Sequence, residues 1–285
     1  MKILVTGATG HLGGKIVEFL AKKVATTDII AGTTNPASEK ALALVEQGIE
    51  VRKTDFDDQA SLEEAFAGVD KVFIVSTVGD EIAAARQQTN IVEVAKQAGV
   101  KQMVYSSAQK ADTSDFFLAG PHLVRENIIK ESGIPYVFVR NNWYVENELG
   151  TVQASLNGAP WVTSAGEGQV GWVYRADLAE ATANVLAGEG HDNKAYELGG
   201  ENLTQADFVA ALNEVTGKDI QVMHVDDVAF GEMLKGNVPE KLAGMLALIQ
   251  MSMRDGKLVN DSTDLEMLLG RKPATVKEAL QRLLV

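Results

Sequence analysis

The chain begins with a short aliphatic run, Ile3-Leu4-Val5, that passes at once into Thr6-Gly7-Ala8-Thr9-Gly10-His11-Leu12-Gly13. The three glycines recur at every third position, and each answers a different need. Gly7 can turn the chain sharply off a strand. Gly10 leaves bare backbone where a phosphate can approach, and Gly13 lets a helix lie close to the sheet. Leu12, Ile16, Phe19 and Leu20 then fall on one helical face, so a helix follows the turn. Its N-terminus points unpaired N–H groups and the positive end of its dipole at the same place. A strand, glycine turn and helix in this order commit the N-terminal half to βαβ units and read as a cradle for a dinucleotide pyrophosphate. Gly7, Ala8, Thr9, Gly10, His11, Leu12 and Gly13 are its candidate contacts.

The pattern continues. Residues 28–31, 49–53, 71–76, 102–106 and 136–139 read as further strands, and 38–47, 61–67, 81–98 and 118–132 as the helices between them. Gly99 is the stop signal of the long helix over 81–98. Alternation with short links predicts an α/β fold, a Rossmann-like doubly wound parallel sheet whose ligand sits beyond the carboxyl ends of the strands. Residues 1–150 are expected to form the dinucleotide-binding domain, with 170–200 returning to it. Residues 151–285 are expected to form a smaller, mostly helical region that caps the strand ends and binds substrate. In that part the sequence predicts a helix over 177–186, a strand over 195–198 and a strand over 220–225. A capping box at Thr204 and Asp207 opens a helix running to 216. Four more helices are expected over 227–235, 239–253, 262–269 and 275–284.

Composition narrows the chemistry. The chain has no cysteine among its 285 residues, which excludes disulfides, thiolate metal sites and thiol catalysis and is compatible with a cytoplasmic setting. Its net charge of −13 opposes non-specific binding to nucleic acid. His11, His122, His191 and His224 are scattered without metal-ligand spacing. No apolar run approaches the roughly 18 residues of a membrane span, and the N-terminus lacks a signal-peptide layout. A monomer or homodimer is expected.

The end of the second strand reads on the choice of coenzyme. An acid there would accept hydrogen bonds from the ribose 2′-hydroxyl and repel a 2′-phosphate. Here the strand ends in Gly32-Thr33-Thr34-Asn35, and Asp28 lies at its other end. The missing repulsion tilts the expectation slightly to NADP(H) over NAD(H), with Thr34 the nearest contact and Lys40 within possible reach of a phosphate. Asp55 and Phe56 follow the third strand, where they can flank an adenine. Ser76 and Thr77 end the fourth, near a ribose.

The proton chemistry is less conventional. Short-chain reductases commonly use a Tyr-x-x-x-Lys pair on one helical face, the lysine lowering the pKa of the phenol. Four residues after Tyr105, Tyr136, Tyr144, Tyr174 and Tyr196 stand Gln109, Arg140, Glu148, Leu178 and Gly200, none of them lysine. A ketone reduced to an alkoxide demands a strong proton donor, whereas a quinone or cationic dye accepts hydride readily and leaves a weak base or a neutral product. The pattern therefore points to a flat, conjugated electrophile, and it is equally compatible with a protein that binds the dinucleotide without turnover.

The segment Arg140-Asn141-Asn142-Trp143-Tyr144-Val145-Glu146-Asn147, with Thr6 to Gly13, resembles the NmrA-like atypical short-chain dehydrogenase/reductases, and within them the bacterial type 2 NAD(P)H:quinone oxidoreductases and triphenylmethane reductases. Ala98-Gly-Val-Lys101, Arg175-Ala-Asp-Leu178 and Tyr196-Glu-Leu198 extend the likeness over nearly the whole chain. The resemblance implies that Asn141, Asn142, Trp143 and Tyr144 lie beside the nicotinamide and substrate. Asn141 and Trp143 are then coenzyme contacts, and Asn142 and Tyr144 join His122 as catalytic candidates. The aromatic pair suits stacking on a flat acceptor, and the amides suit orienting a carboxamide or carbonyl. His122 stands where many members carry lysine and is expected to relay a proton or orient the substrate. Arg140 and Glu146 are expected to pair as scaffolding. Thr34 departs from close relatives, which carry arginine there. The resemblance implies either hydride transfer from NAD(P)H to a quinone or, as in the family's regulators, redox sensing through a protein partner.

Overall fold

A computed structural model describes residues 1–77, 79–236 and 238–284. Its centre is a sheet of seven strands, all parallel: β1 (Ile3–Val5), β2 (Ile29–Thr33), β3 (Glu50–Lys53), β4 (Lys71–Ile74), β5 (Gln102–Ala108), β6 (Tyr136–Asn141) and, much later in the chain, a strand at Lys194–Leu198. The spatial order is β3-β2-β1-β4-β5-β6 and then that last strand. The order reverses between β1 and β4, and a crevice opens there at the carboxyl edge. β1 and β2 are buried along their whole length, as strands covered by helices on both faces must be.

The helices α1 (His11–Leu20), α2 (Glu39–Glu46), α3 (Gln59–Phe66), α4 (Glu81–Ala98) and α5 (Ala119–Glu131) supply the crossovers. Their ends follow local chemistry. Ser38, Asp58 and Asp80 each accept a backbone N–H of the next turn. Gly99 closes α4 in the left-handed conformation, φ 73°. One face of the sheet buries Ile16, Val17 and Leu20 of α1 with Leu178, Val185 and Leu186 from further along the chain. The other buries Leu62 and Phe66 of α3, Ile91 and Ala95 of α4 and Ile129 of α5.

Beyond β6 the chain forms a 3-10 turn at Val145–Glu148, α6 (Leu149–Leu156), β7 (Trp161–Thr163) and β8 (Val170–Gly171). It then returns to the sheet. α7 (Arg175–Ala187) lies against α1, and β9 (Lys194–Leu198) is the seventh strand. β10 (Asn202–Leu203) pairs antiparallel with β8, α8 (Gln205–Thr216) follows, and β11 (Val222–His224) pairs parallel with β7. The reciprocal Thr204–Asp207 capping box is present. α9 (Asp227–Leu234), α10 (Glu240–Arg254), α11 (Asp264–Leu269) and α12 (Val276–Leu284) complete the chain. A separate apolar core around Trp161, Trp172 and Phe208 holds this second region together. Among the described residues no helix is long and apolar enough to cross a membrane.

The sheet differs from the sequence expectation in extent. β5 and β6 run to Ala108 and Asn141 because their pairing continues through Ser107↔Arg140 and Ala108↔Asn141. Arg140 is held in that extension by Glu126 at 2.7 and 2.9 Å, Asp112 at 2.7 Å and Glu197 at 3.0 Å. It does not pair with Glu146, whose carboxylate instead accepts the backbone N–H of Arg175 at 3.2 Å.

Candidate functional site

The glycine turn joins β1 to α1. Gly7 has φ +64°, and a Cβ there would meet Val75 Cγ1 at 2.7 Å. Ala8 N–H donates to Gly32 O at 2.9 Å, and Thr9 and Thr33 share a hydroxyl hydrogen bond of 2.9 Å, so the turn is tied to the end of β2. Gly10 is exposed and N-caps α1 with no side-chain cap, and the first turn carries no acid. The first N–H groups of α1, at His11, Leu12 and Gly13, are thus left for a ligand. A Cβ on Gly13 would stand 2.3 Å from Gly7 O, which is why the helix can lie so close only with glycine there.

The neighbouring loops surround this turn. Thr34 is exposed one residue past β2, and the Lys40 ammonium reaches Thr9 O at 3.5 Å. Asp55 and Phe56 are half-buried after β3; Asp55 N–H donates to Ser61 Oγ, and the Phe56 carbonyl accepts from Asn90 at 3.0 Å. Past β4, Ser76 N–H donates to Ser106 Oγ at 2.8 Å, while Thr77 O accepts from Arg125 at 3.2 Å.

A cavity of about 240 Å³ opens over the carboxyl ends of β5 and β6, lined among others by Ser76, His122, Asn141, Asn142, Trp143 and Tyr144. Five sequence candidates from the segments around 122 and 141–144 are thereby brought together with Ser76. Thr77, Asp55, Phe56 and Thr34 lie outside its wall. Asn141 donates to the Tyr144 hydroxyl at 3.1 Å, while Asn141 Oδ1 is buried without a partner, as is Gln109 Oε1 on the same wall. Asn142 is turned to the fold instead, its amide donating to Leu258 O at 3.0 Å. Trp143 is fixed by its indole N–H, which Glu148 accepts at 3.0 Å; the same carboxyl accepts Trp172 at 3.3 Å. Burial pushes the Glu148 carboxyl above the usual range. Burial likewise raises the Tyr144 phenol, whose ring lies 5.2 Å from the Arg175 guanidinium. Both Tyr144 and Glu148 sit where their charged forms are disfavoured.

His122 lines the cavity with one edge, and its Nδ1 lies 3.0 Å from the Tyr105 hydroxyl. Burial, aided by the Arg125 charge, pushes its pKa down to about 3. The ring is therefore neutral near pH 7 and stores no proton there, so of the two expected roles the orienting one fits. No charged side chain lines the cavity.

Several of its residues carry no sequence signal. Gln109 and Phe116 follow β5, and Leu258 comes from a loop 150 residues away that Gln109 grips through Val259 O at 2.6 Å. A larger hollow of about 580 Å³ between α9 and α10 shares no lining residue with the strand ends.

The residues present fit a dinucleotide: a side-chain-free cradle at Gly10 and an uncapped helix N-terminus. Sheet order, glycine turn and strand-end cavity together define a Rossmann-type, dinucleotide-binding protein. The chain belongs to the NmrA-like family, whose profile matches residues 1–280, and within it is a quinone-oxidoreductase-like reductase. It is 39% identical over 285 residues to quinone oxidoreductase 2 of Escherichia coli (strain K12), covering 99% of this chain and 98% of that one. The fold matches the NADPH complex of the Escherichia coli quinone oxidoreductase QOR2 with a TM-score of 0.93 at 38% identity, covering 99% of this chain and 100% of the other. It matches Citrobacter sp. triphenylmethane reductase with a TM-score of 0.92 at 37% identity, covering 99% of each.

Proposed function

We propose that this protein transfers a hydride from NAD(P)H, with NADP(H) slightly favoured, to a quinone or a similar flat, conjugated electrophile. The observation that carries the reading is the uncharged, aromatic-walled cavity at the ends of β5 and β6, on the same carboxyl edge of the sheet as the glycine turn after β1. A flat neutral ring fits between Trp143, Tyr144 and Phe116, and no buried charge opposes it. The cradle from Gly7 to Gly13 holds the pyrophosphate, and Asn141 with Trp143 holds the nicotinamide end. Asp55 and Phe56 flank the adenine. Ser76 and Thr77 bound the ribose, and Thr34 stands nearest the 2′ group. When bound, the nicotinamide supplies the hydride. Tyr144, kept protonated by burial, and neutral His122 donate hydrogen bonds, and Asn142 fixes the loop that carries Trp143. Neither His122 nor Tyr144 need be a strong acid if the acceptor is an electron-poor ring.

In this reading residues 1–150, with 170–200 returning, bind coenzyme, and residues 151–285 close over the acceptor. The protein acts in the cytoplasm as a monomer or homodimer, without nucleic acid or membrane. The test is oxidation of NADPH and NADH, followed at the nicotinamide absorbance, with benzoquinones, naphthoquinones and a cationic triarylmethane dye. Rapid loss with a quinone supports the reading. Coenzyme binding without loss for any acceptor overturns it in favour of a redox sensor that works through a partner protein.

A further inference from the structure

Beneath the cavity, His122 is backed by two side chains that the proposed chemistry does not use, Tyr105 and Arg125. Arg125 Nη1 donates to the Tyr105 hydroxyl at 3.3 Å and to Thr77 O at 3.2 Å. The Tyr105 hydroxyl stands 3.0 Å from His122 Nδ1. Tyr105 is fully buried and Arg125 nearly so. Among the described residues no carboxylate pairs with Arg125, although the Glu126 carboxylate opposes its charge at Tyr105.

The directions of these bonds follow from their chemistry. A guanidinium only donates. The Tyr105 oxygen therefore accepts from Arg125 and has its own proton left to give. Its one other neighbour is His122 Nδ1, which must then be the bare, accepting nitrogen. A neutral imidazole with a bare Nδ1 carries its hydrogen on Nε2. Nε2 has no partner among the described residues and is not one of the sealed, orphaned atoms, so it opens to the cavity that His122 lines.

We infer that Arg125 and Tyr105 lock His122 as its Nε2–H tautomer and so aim a hydrogen-bond donor at the oxygen of a carbonyl acceptor. His122 is then the group that touches the substrate, and Tyr105 and Arg125 are positioning residues that act through it. The donor is preorganised where negative charge grows on the acceptor oxygen during hydride transfer. No covalent step is assigned to His122. The inference rests on the reductase reading for its substrate, but not for the tautomer.

Two measurements test it. The first is long-range nitrogen–proton NMR of protein labelled in its histidine rings, with the His122 signals assigned by their loss in His122→Gln. The expected result is a neutral ring protonated at Nε2. Tyr105→Phe, which removes the donor to Nδ1, and Arg125→Met, which frees the phenol to accept instead, should both shift the ring towards Nδ1–H. A wild-type ring protonated at Nδ1 or at both nitrogens, or a tautomer unmoved in both folded variants, overturns the lock. The second is the ratio of quinone to triarylmethane-dye turnover, because the dye accepts hydride at carbon and has no oxygen for the donor. In Tyr105→Phe this ratio should fall about tenfold at unchanged coenzyme affinity, less than the roughly 100-fold that loss of an oxyanion donor itself costs. Equal losses with both acceptors would assign Tyr105 a merely structural role. If neither acceptor is reduced although NADPH binds, the reductase reading fails, and the NMR result alone decides the lock.

Discussion

Replacing Gly13 by alanine separates packing from binding at the glycine turn. The added methyl would lie 2.3 Å from Gly7 O, 2.7 Å from Gly7 C and 3.0 Å from Thr6 O. All three are backbone atoms, so no side chain can swing aside, and α1 must move by about 1 Å. Overpacking of this kind costs roughly 1–3 kcal/mol, with the upper end apt for a backbone clash. The helix regains about 1 kcal/mol when glycine becomes alanine. The net loss is about 2 kcal/mol, which lowers the melting temperature by about 3 °C in a chain of this size. Gly10→Ala is the contrast: its methyl meets only Gly7 O, at 3.1 Å, and otherwise points into open space. That variant should melt within about 1 °C of the parent yet bind NAD(P)H at least about tenfold more weakly, a loss of about 1.4 kcal/mol. Thermal melts and fluorescence titration with coenzyme read both quantities. A Gly13→Ala protein as stable as the parent would refute the packing argument. A Gly10→Ala protein with full coenzyme affinity would refute the cradle.

Three further outcomes follow from other parts of the molecule. Arg140→Leu leaves Glu126 fully buried without its guanidinium and should cost about 3–5 kcal/mol in denaturant melts; adding Glu126→Gln should recover part of it, and a loss below about 1 kcal/mol contradicts the burial argument. His122 has its folded-state pKa pushed down from 6.5 to about 3, so the unfolded chain binds the proton first, and stability present above pH 6.5 is lost as pH falls towards 3. The contribution lost by pH 5 is about 2 kcal/mol, and an unaltered pH dependence of stability in His122→Gln would show that this ring is not its source. Thr34→Arg should tighten NADPH relative to NADH by about tenfold through a charge-assisted bond, measured by competition titration; an unchanged ratio would place the 2′ group elsewhere.

The first half of the fold is legible because its signals are local and mutually consistent. A glycine turn, apolar strands and helix caps such as Gly99 each specify their own segment, so the strand order needs little else. The strand ends were harder to place, because Ala108 and Asn141 belong to the sheet only through each other. Between 149 and 171 the sequence carries no clear period that would announce α6, β7 and β8. β7 is three residues long and exists through its pairing with β11, some 60 residues on. The same limit applied to ion pairs: Arg140 finds Glu126, Asp112 and Glu197 rather than the nearby Glu146, since strand pairing and α5 bring those three to it. At the site, the segment from Asn141 to Tyr144 is legible through its resemblance to the NmrA-like reductases, with its aromatic and amide side chains compatible with that place. Tyr105 is not, because the search for a partner at helical spacing overlooks an arginine 20 residues away on another element.

At Leu258 and Val259 the loop over the cavity is attached through its backbone. Leu258 O accepts from Asn142 and from Gly171 N–H, and Val259 O from Gln109 and Lys110, so the anchoring groups belong to the opposite side of the contact. Leu258 also lines the cavity, where its side chain joins the core around Trp161 and Trp172. Fastening and lining are thus carried by different atoms of one segment. Natural variation at position 258 can widen, narrow or reshape the opening above the strand ends while the clamp stays intact. A lineage with this scaffold could exchange one acceptor for another by single substitutions there, without first rebuilding the machinery that holds the coenzyme.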